Sequence, residues 1–260
     1  MNPCLAITVD VEPDYWDDST TEGLERGIPL LLDLFDTLGA KGTFFWVAES
    51  AEKCSKIFDQ VVARGHEIGC HGLAHENFLG LSAEQQAETI HKATSRLRAM
   101  GGHCIGFRAP RLRVNDSLFA ALAGAGYLYD SSVPYWGLRT FKYGKRYDHP
   151  EGIVELKCIP SYAFRFSHCL FQSVLHHSCR ELGYAVLFVH PWEFVTMPKR
   201  GRDLSMLKRL NFLNTYHVGP TFARQLSTFL LARRDDLEIM PCSRIIKRKD
   251  STCSGEKYIP

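Results

Sequence analysis

The sequence has no surplus of charge of one sign: 31 basic residues face 29 acidic ones over 260 positions, a formal net charge of +2. Nucleic acid and anionic membrane both select a one-sided field, so neither is expected as a partner. No apolar run approaches the length of a membrane span. Leu5 to Val9 is too short even for a signal-peptide core, which predicts no transmembrane segment and a cytoplasmic location. There is no CxxC pair among the nine cysteines. Their odd number and scatter favour reduced thiols over a disulfide framework. Neither an internal repeat nor a low-complexity block is present.

What the sequence does have is 45% hydrophobic residues, enough for a full core in one domain, as α/β barrels of this length routinely form. Short β-branched or aromatic runs alternate with amphipathic stretches, the pattern of βα units around a mainly parallel sheet. Strands are predicted at Leu5 to Val11, Gly42 to Ala48, Glu67 to His71, Ile105 to Ala109, Tyr127 to Ser131, Ile153 to Ile159, Ala185 to Val189 and Leu237 to Met240. The spacing of Ile28, Leu31, Leu32 and Phe35 predicts a helix over Ile28 to Leu38, with Pro29 in its first turn and Gly39 ending it. Further helices are expected at Ser50 to Arg64, from a Ser82/Gln85 capping box to about Met100, after Asn115, at Leu170 to Leu182 and at Pro220 to Arg233. Val133 to Gly152 reads as a long excursion of the kind that shapes binding grooves. The domain is placed at 1–242, followed by a weakly ordered basic tail at 243–260.

Polar residues that are expensive to bury stand repeatedly at predicted strand ends, where α/β barrels assemble active sites. Asp10 and Glu12 flank Val11 in TVDVE, so strand alternation puts both carboxylates on one face, where they repel unless a cation lies between them. His71 and His75 in HGLAH have the spacing to reach one metal if the intervening segment makes a helical turn. One carboxylate and two imidazoles form a facial set for a divalent ion, with positions left open. Arg108 in GFRAP can hold a carboxylate ionised and aimed, and His190 in LFVHPWEF can give a proton to a leaving group. Each residue alone also fits a plainer role. The acids can cap a helix, the histidine spacing arises by chance, Arg108 suits a surface salt bridge, His190 a satisfied core histidine, and Asp130 in YLYDSS a turn.

Taken together, TVDVE, GHEIGCHGLAH, GFRAP, YDSS and LFVHPWEF resemble, in order and approximate spacing, the motifs of the polysaccharide deacetylases, the NodB-homology carbohydrate esterases. The resemblance runs from about Leu5 to Met240. It implies a distorted, incomplete (β/α) barrel and one divalent metal ion, most often Zn²⁺. It also implies a division of labour: Asp10 as general base, His71 and His75 as metal ligands, Arg108 orienting the base and His190 as general acid. Glu12 becomes the third metal ligand, as in a subgroup whose first motif reads acid, spacer, acid. Arg111 follows Pro110 where the family commonly has an aromatic residue. Asp130 matches the aspartate of the fourth motif, whose Asp-Trp pair is missing, with Tyr135 or Trp136 in its place.

The reaction implied is hydrolysis of the acetamide of an N-acetylated sugar. Pro110, Arg111, Tyr135, Trp136 and Trp192 are the expected substrate contacts, with a backbone N–H near Pro110 or Arg111 facing the oxyanion. Aromatic rings in the excursion (Tyr135, Trp136, Phe141, Tyr143, Tyr147) are suited to stacking on sugar faces. With no export signal expected, a soluble or lipid-linked N-acetylhexosamine precursor is favoured over intact cell wall or chitin. Two alternatives stand beside it: a hydrolase of another small amide or cyclic ureide, and a catalytically inactive carbohydrate-binding homologue.

Overall fold

A computed structural model of the chain describes residues 2–135, 152–196 and 216–253. The first strand, β1 (Cys4–Val11), is buried at all eight positions. Such a continuous apolar run is what a parallel strand covered on both faces requires. It pairs in parallel with β2 (Thr43–Trp46) on one side and with β8 (Ala185–Val189) on the other. Outward from β2 the sheet continues through β3 (Glu67–Cys70), β4 (Gly106–Phe107), β5 (Tyr129–Asp130) and β6 (Val154–Glu155). Beyond β8 lies β7 (Cys158–Pro160), while β9 (Glu238–Ile239) pairs with the start of β1.

This order makes the sheet curl into a barrel. Its two terminal strands, β6 and β7, are pieces of one stretch separated only by Leu156 and Lys157, so the stretch expected as a single strand is shared between opposite edges. The Leu156 N–H donates to the Asp130 carbonyl and the Cys158 N–H to that of Val133, stitching this stretch to the segment after β5. The expected (β/α) barrel is therefore the observed fold.

Helices cover the outside. The helix α1 (Glu22–Leu38) begins six residues before the predicted start and carries Pro29 in its interior rather than in its first turn. Gly23 and Gly27, poor helix formers, obscured its first turns, and both are required for packing. A Cβ at Gly27 would collide with the Pro191 carbonyl, and one at Gly23 with the Asp14 carboxylate and Trp192. The predicted second helix is two, α2 (Ala48–Lys53) and α3 (Ser55–Ala63), broken at Cys54. α4 (Ala83–Ala99) starts at the Ser82/Gln85 capping box, and α5 (Asp116–Gly124) is capped by the Asn115 side chain, both as expected. A short helix that the sequence reading missed, α6 (Ser161–Phe166), precedes α7 (His168–Leu182) and α8 (Pro220–Leu231).

The expectation of a weakly ordered tail from Ser243 is corrected: Cys242–Cys253 forms α9. Ile245 and Ile246 are buried against a core cluster that includes Ala6, Tyr129 and Val186. Its basic residues concealed a two-isoleucine anchor. None of the helices formed by the described residues is long and apolar enough to cross a membrane.

Candidate functional site

At the C-terminal end of β1, Asp10 and Glu12 point the same way, as alternation requires. His71 follows β3 directly. Its Nδ1 lies 2.7 Å from the Arg108 carbonyl oxygen, and its Nε2 faces Glu12 Oε2 at 3.3 Å. An imidazole pinned by a carbonyl in this way is oriented for metal binding through its other nitrogen.

His75 reaches the same point by a different route from the expected helical turn. The segment after β3 is an irregular loop in which Glu76 accepts from the Leu73 and Ala74 N–H groups. His75 itself has φ of 62°, a left-handed conformation uncommon for a side-chain-bearing residue. Its Nε2 stands 2.6 Å from Glu12 Oε2.

Glu12, His71 and His75 each bring one ligand atom to within 4.8 Å of the others. The residues fit a divalent cation on three grounds. The set is the two-imidazole, one-carboxylate combination such ions take. His75 Nε2 is buried beside Glu12 without a geometrically aligned hydrogen bond, a polar atom that a cation would satisfy. Burial disfavours the Glu12 charge, but His75 and His71 more than offset this and hold its carboxyl well below the usual range. Burial likewise works against a charged His75, yet Glu12 raises its pKa. Glu12 thus depends on positive charge that a cation can supply, with both imidazoles neutral as ligands.

Arg108 is fully buried. Its Nη1 donates to Asp10 Oδ1 at 2.6 Å and to Thr8 Oγ1 at 2.8 Å, while Nε and Nη2 are satisfied by the Ser131 carbonyl and hydroxyl. The guanidinium lies over the Phe45 ring at 4.4 Å. The expected pairing of Arg108 with a carboxylate is therefore present, with Asp10 as the partner, not Glu12.

His190 caps β8 from the opposite wall, its Nε2 3.7 Å from Glu12 Oε1. Behind it stands a residue not singled out in the sequence, Glu193. Its Oε1 is 3.4 Å from His190 Nδ1 and its Oε2 accepts the His190 backbone N–H. Glu193 is itself buried and held by the Ser161 hydroxyl at 2.7 Å and by Arg165 Nη2 at 3.1 Å. Burial alone would lower the His190 pKa. Glu193 and Glu12 outweigh it and push it up to about 9. Glu193 stays below its ordinary value despite burial because Arg165 and His190 flank it.

The remaining expected site residues divide. Arg111 is exposed at φ of 59° beside buried Pro110, close enough for its charge to act on His75. Asp130 accepts from the Ser132 N–H and hydroxyl and lies beside Glu155, its register partner on β6. Ser132 Oγ in turn accepts the Ala109 N–H, so Asp130 braces the loop that carries Arg108. Tyr135 faces His177 of α7 at 6.0 Å, and Trp136 lies outside the described residues. Trp192 is 1% exposed and stacks under His190 at 5.1 Å, a support rather than an open sugar platform.

Comparison with known proteins accords with this geometry. The polysaccharide deacetylase family model matches residues 2–129. That stretch, just under half of the chain, is similar to the family. A peptidoglycan deacetylase of Helicobacter pylori is 32% identical over 120 residues, 45% of this chain and 41% of that protein; the match thus spans less than half of the relative. Among solved structures, a polysaccharide deacetylase of Mycobacterium smegmatis described as putative superposes with a TM-score of 0.72 at 22% identity, covering 96% of this chain and 91% of the other. An allantoinase has a similar fold, with a TM-score of 0.66 at 16% identity over 98% of this chain and 92% of its own.

Proposed function

We propose that the protein is a metal-dependent hydrolase that removes the acetyl group from an N-acetylated sugar, an N-acetylhexosamine in a soluble or lipid-linked glycan precursor, and releases acetate. The observation that carries this reading is the Glu12, His71 and His75 set, flanked on one side by the Asp10–Arg108 pair and on the other by His190. Those three residues would hold the ion, and the set suits Zn²⁺. A divalent cation bound there supplies Lewis acidity toward the acetamide carbonyl and toward water.

The chain's own groups do the rest. Asp10, fixed in place by Arg108, accepts a proton from the attacking water. The backbone at Arg111 offers its N–H to the negative charge that develops on the carbonyl oxygen, a donor of a type whose removal typically costs ~100-fold in rate. His190, held protonated by Glu193, delivers its proton to the departing amine. An acid and a base on opposite sides of one anchoring cluster match amide hydrolysis, which needs a proton removed from water and another given to nitrogen.

The experiment is acetate release from a panel of N-acetyl sugars, paired with metal analysis of the purified protein. The expected outcome is acetate from at least one sugar and about one equivalent of metal, both abolished in His71→Ala and His75→Ala. Full activity in a metal-free double variant contradicts the proposal. The fold shared with an allantoinase makes a cyclic ureide the control substrate, and glycan binding without metal or turnover would mark an inactive binding protein.

A further inference from the structure

At the end of the barrel away from the metal set lies a cavity of about 360 Å³, a size common among small-molecule sites. Pro3 and Leu237, which directly precede β1 and β9, belong to its wall. β1 runs from there toward Asp10 and advances ~3.3 Å per residue, so the cavity stands roughly 20 Å from the site described above. The two share no residue.

Its floor is apolar and its rim is charged. Leu175 of α7, Phe229 of α8 and Leu237 are buried and form the floor. On the rim, Gln172 of α7 stands with Arg233 and Asp236 of the turn that follows α8. Two contacts fix the guanidinium of Arg233: it lies over the Phe229 ring at 4.0 Å, and its Nη2 donates to Gln172 Oε1 at 3.0 Å. The turn itself is closed by the Asp236 and Leu237 N–H groups, which both donate to the Arg233 carbonyl. The bond to Gln172 uses one of the five N–H donors of a guanidinium. Among the described residues, neither Arg233 nor Asp236 makes an ion pair, with each other or with a third residue. The hollow therefore has a positive and a negative group on its rim that do not satisfy one another. A neutral apolar ligand would leave both unused, and a simple anion would meet the Asp236 charge.

We propose that this cavity binds a zwitterionic small molecule with an apolar side chain, of the class of the aliphatic α-amino acids. Its carboxylate lies on Arg233, its ammonium group toward Asp236, and its side chain on the floor made by Leu175, Phe229 and Leu237. The carboxylate accepts charge-assisted hydrogen bonds from the preset guanidinium. Asp236 contributes less, because an exposed ion pair is screened by water. Removal of the side chain from water supplies the rest. The inference is independent of the deacetylase reading above.

The test is amide NMR of the metal-loaded protein titrated with L-leucine and with three probes that each lack one feature. Glycine has no apolar side chain, 4-methylpentanoate no ammonium group and 3-methylbutylamine no carboxylate. L-Leucine is expected to shift the amides of Leu175, Phe229 and Leu237, with a Kd on the order of 0.1–1 mM. Glycine and 3-methylbutylamine should bind about 10-fold more weakly or worse, and 4-methylpentanoate about 3-fold more weakly. Arg233→Gln should weaken L-leucine by about 10-fold or more. Ala232→Trp, at an exposed position on the cavity wall, should fill the space and abolish binding. Melting curves check that both variants fold; if either does not, the wild type with its four probes decides alone. No shift up to about 20 mM L-leucine overturns the proposal. So does equal binding of glycine, or an unchanged affinity in folded Arg233→Gln. Shifts confined to amides around Glu12, His71 and His75 place the amino acid on the metal instead, and overturn it too.

Discussion

Each residue of the site has a partner that fixes its position, and this decides what substitution does. Asp10→Asn keeps an acceptor for Arg108 and should preserve the fold while lowering kcat by roughly 100- to 10,000-fold, the usual contribution of a general base; acetate release and circular dichroism check both halves. Glu193→Gln removes the negative charge beside His190. A histidine with a raised pKa acts as an acid below that value and loses this capacity as pH rises through it. The alkaline limb of the pH–rate profile should therefore move to lower pH in Glu193→Gln. A bound cation, by neutralising Glu12, would leave Glu193 the main support of that charge. At this scale the sequence was informative wherever a motif carried chemistry: Asp10, Glu12, His71, His75, Arg108 and His190 all meet. It was silent on Glu193, because an acid three residues past a histidine reads equally well as a cap, and its partners Ser161 and Arg165 lie about thirty residues earlier in a helix with no motif. It matched Asp130 by residue type alone, and its partner across the sheet, Glu155, carried no motif.

Among the elements, α1 and the β5–β6 edge govern how well those residues are held. The close approach of α1 to Pro191 needs the bare backbone of Gly27. Gly27→Val should destabilise the fold by about 1–3 kcal/mol and lower kcat by shifting His190; a denaturation curve and a kinetic assay on the same sample test this. At the β5–β6 edge, burial raises the Glu155 pKa from 4.5 to about 7, against the lowering effect of its bonds to Asp130 and the Val133 N–H. A carboxyl whose folded value exceeds its unfolded one favours folding fully below the unfolded value, and that contribution is lost as pH rises through the folded one. Glu155→Gln, which retains an acceptor for Val133, should thus raise the melting temperature at pH 8 and change it little near pH 4. Equal shifts at both pH values would contradict the assignment. Element positions were mostly legible from periodicity, and capped starts such as Ser82 and Asn115 were read closely. The misplaced start of α1 had a definite cause: packing demanded glycines where propensity discourages a helix.

The whole molecule depends on its last helix more than its composition suggests. α9 buries Ile245 and Ile246, its Cys242 N–H donates to Thr43 Oγ1, and its Ser243 N–H donates to Glu67 Oε2. A chain ending at Pro241 should lose a few kcal/mol and melt lower by on the order of 10 °C, measurable by calorimetry; an unchanged midpoint would return the segment to the status of a tail. The barrel was legible because parallel strands buried on both faces read as apolar runs. Its closure was not, since no local pattern reveals that Val154 and Cys158 serve opposite ends of one sheet.

That closure has a consequence for the molecule in company. An open sheet offers a row of unpaired amide groups that a neighbour's strand can extend. Here the two ends are occupied by successive parts of one short passage of chain, so zippering of one molecule onto another must first pull Leu156 and Lys157 away from the wall they complete. Crowded solutions of the folded protein should therefore resist strand-mediated clumping until the barrel itself opens.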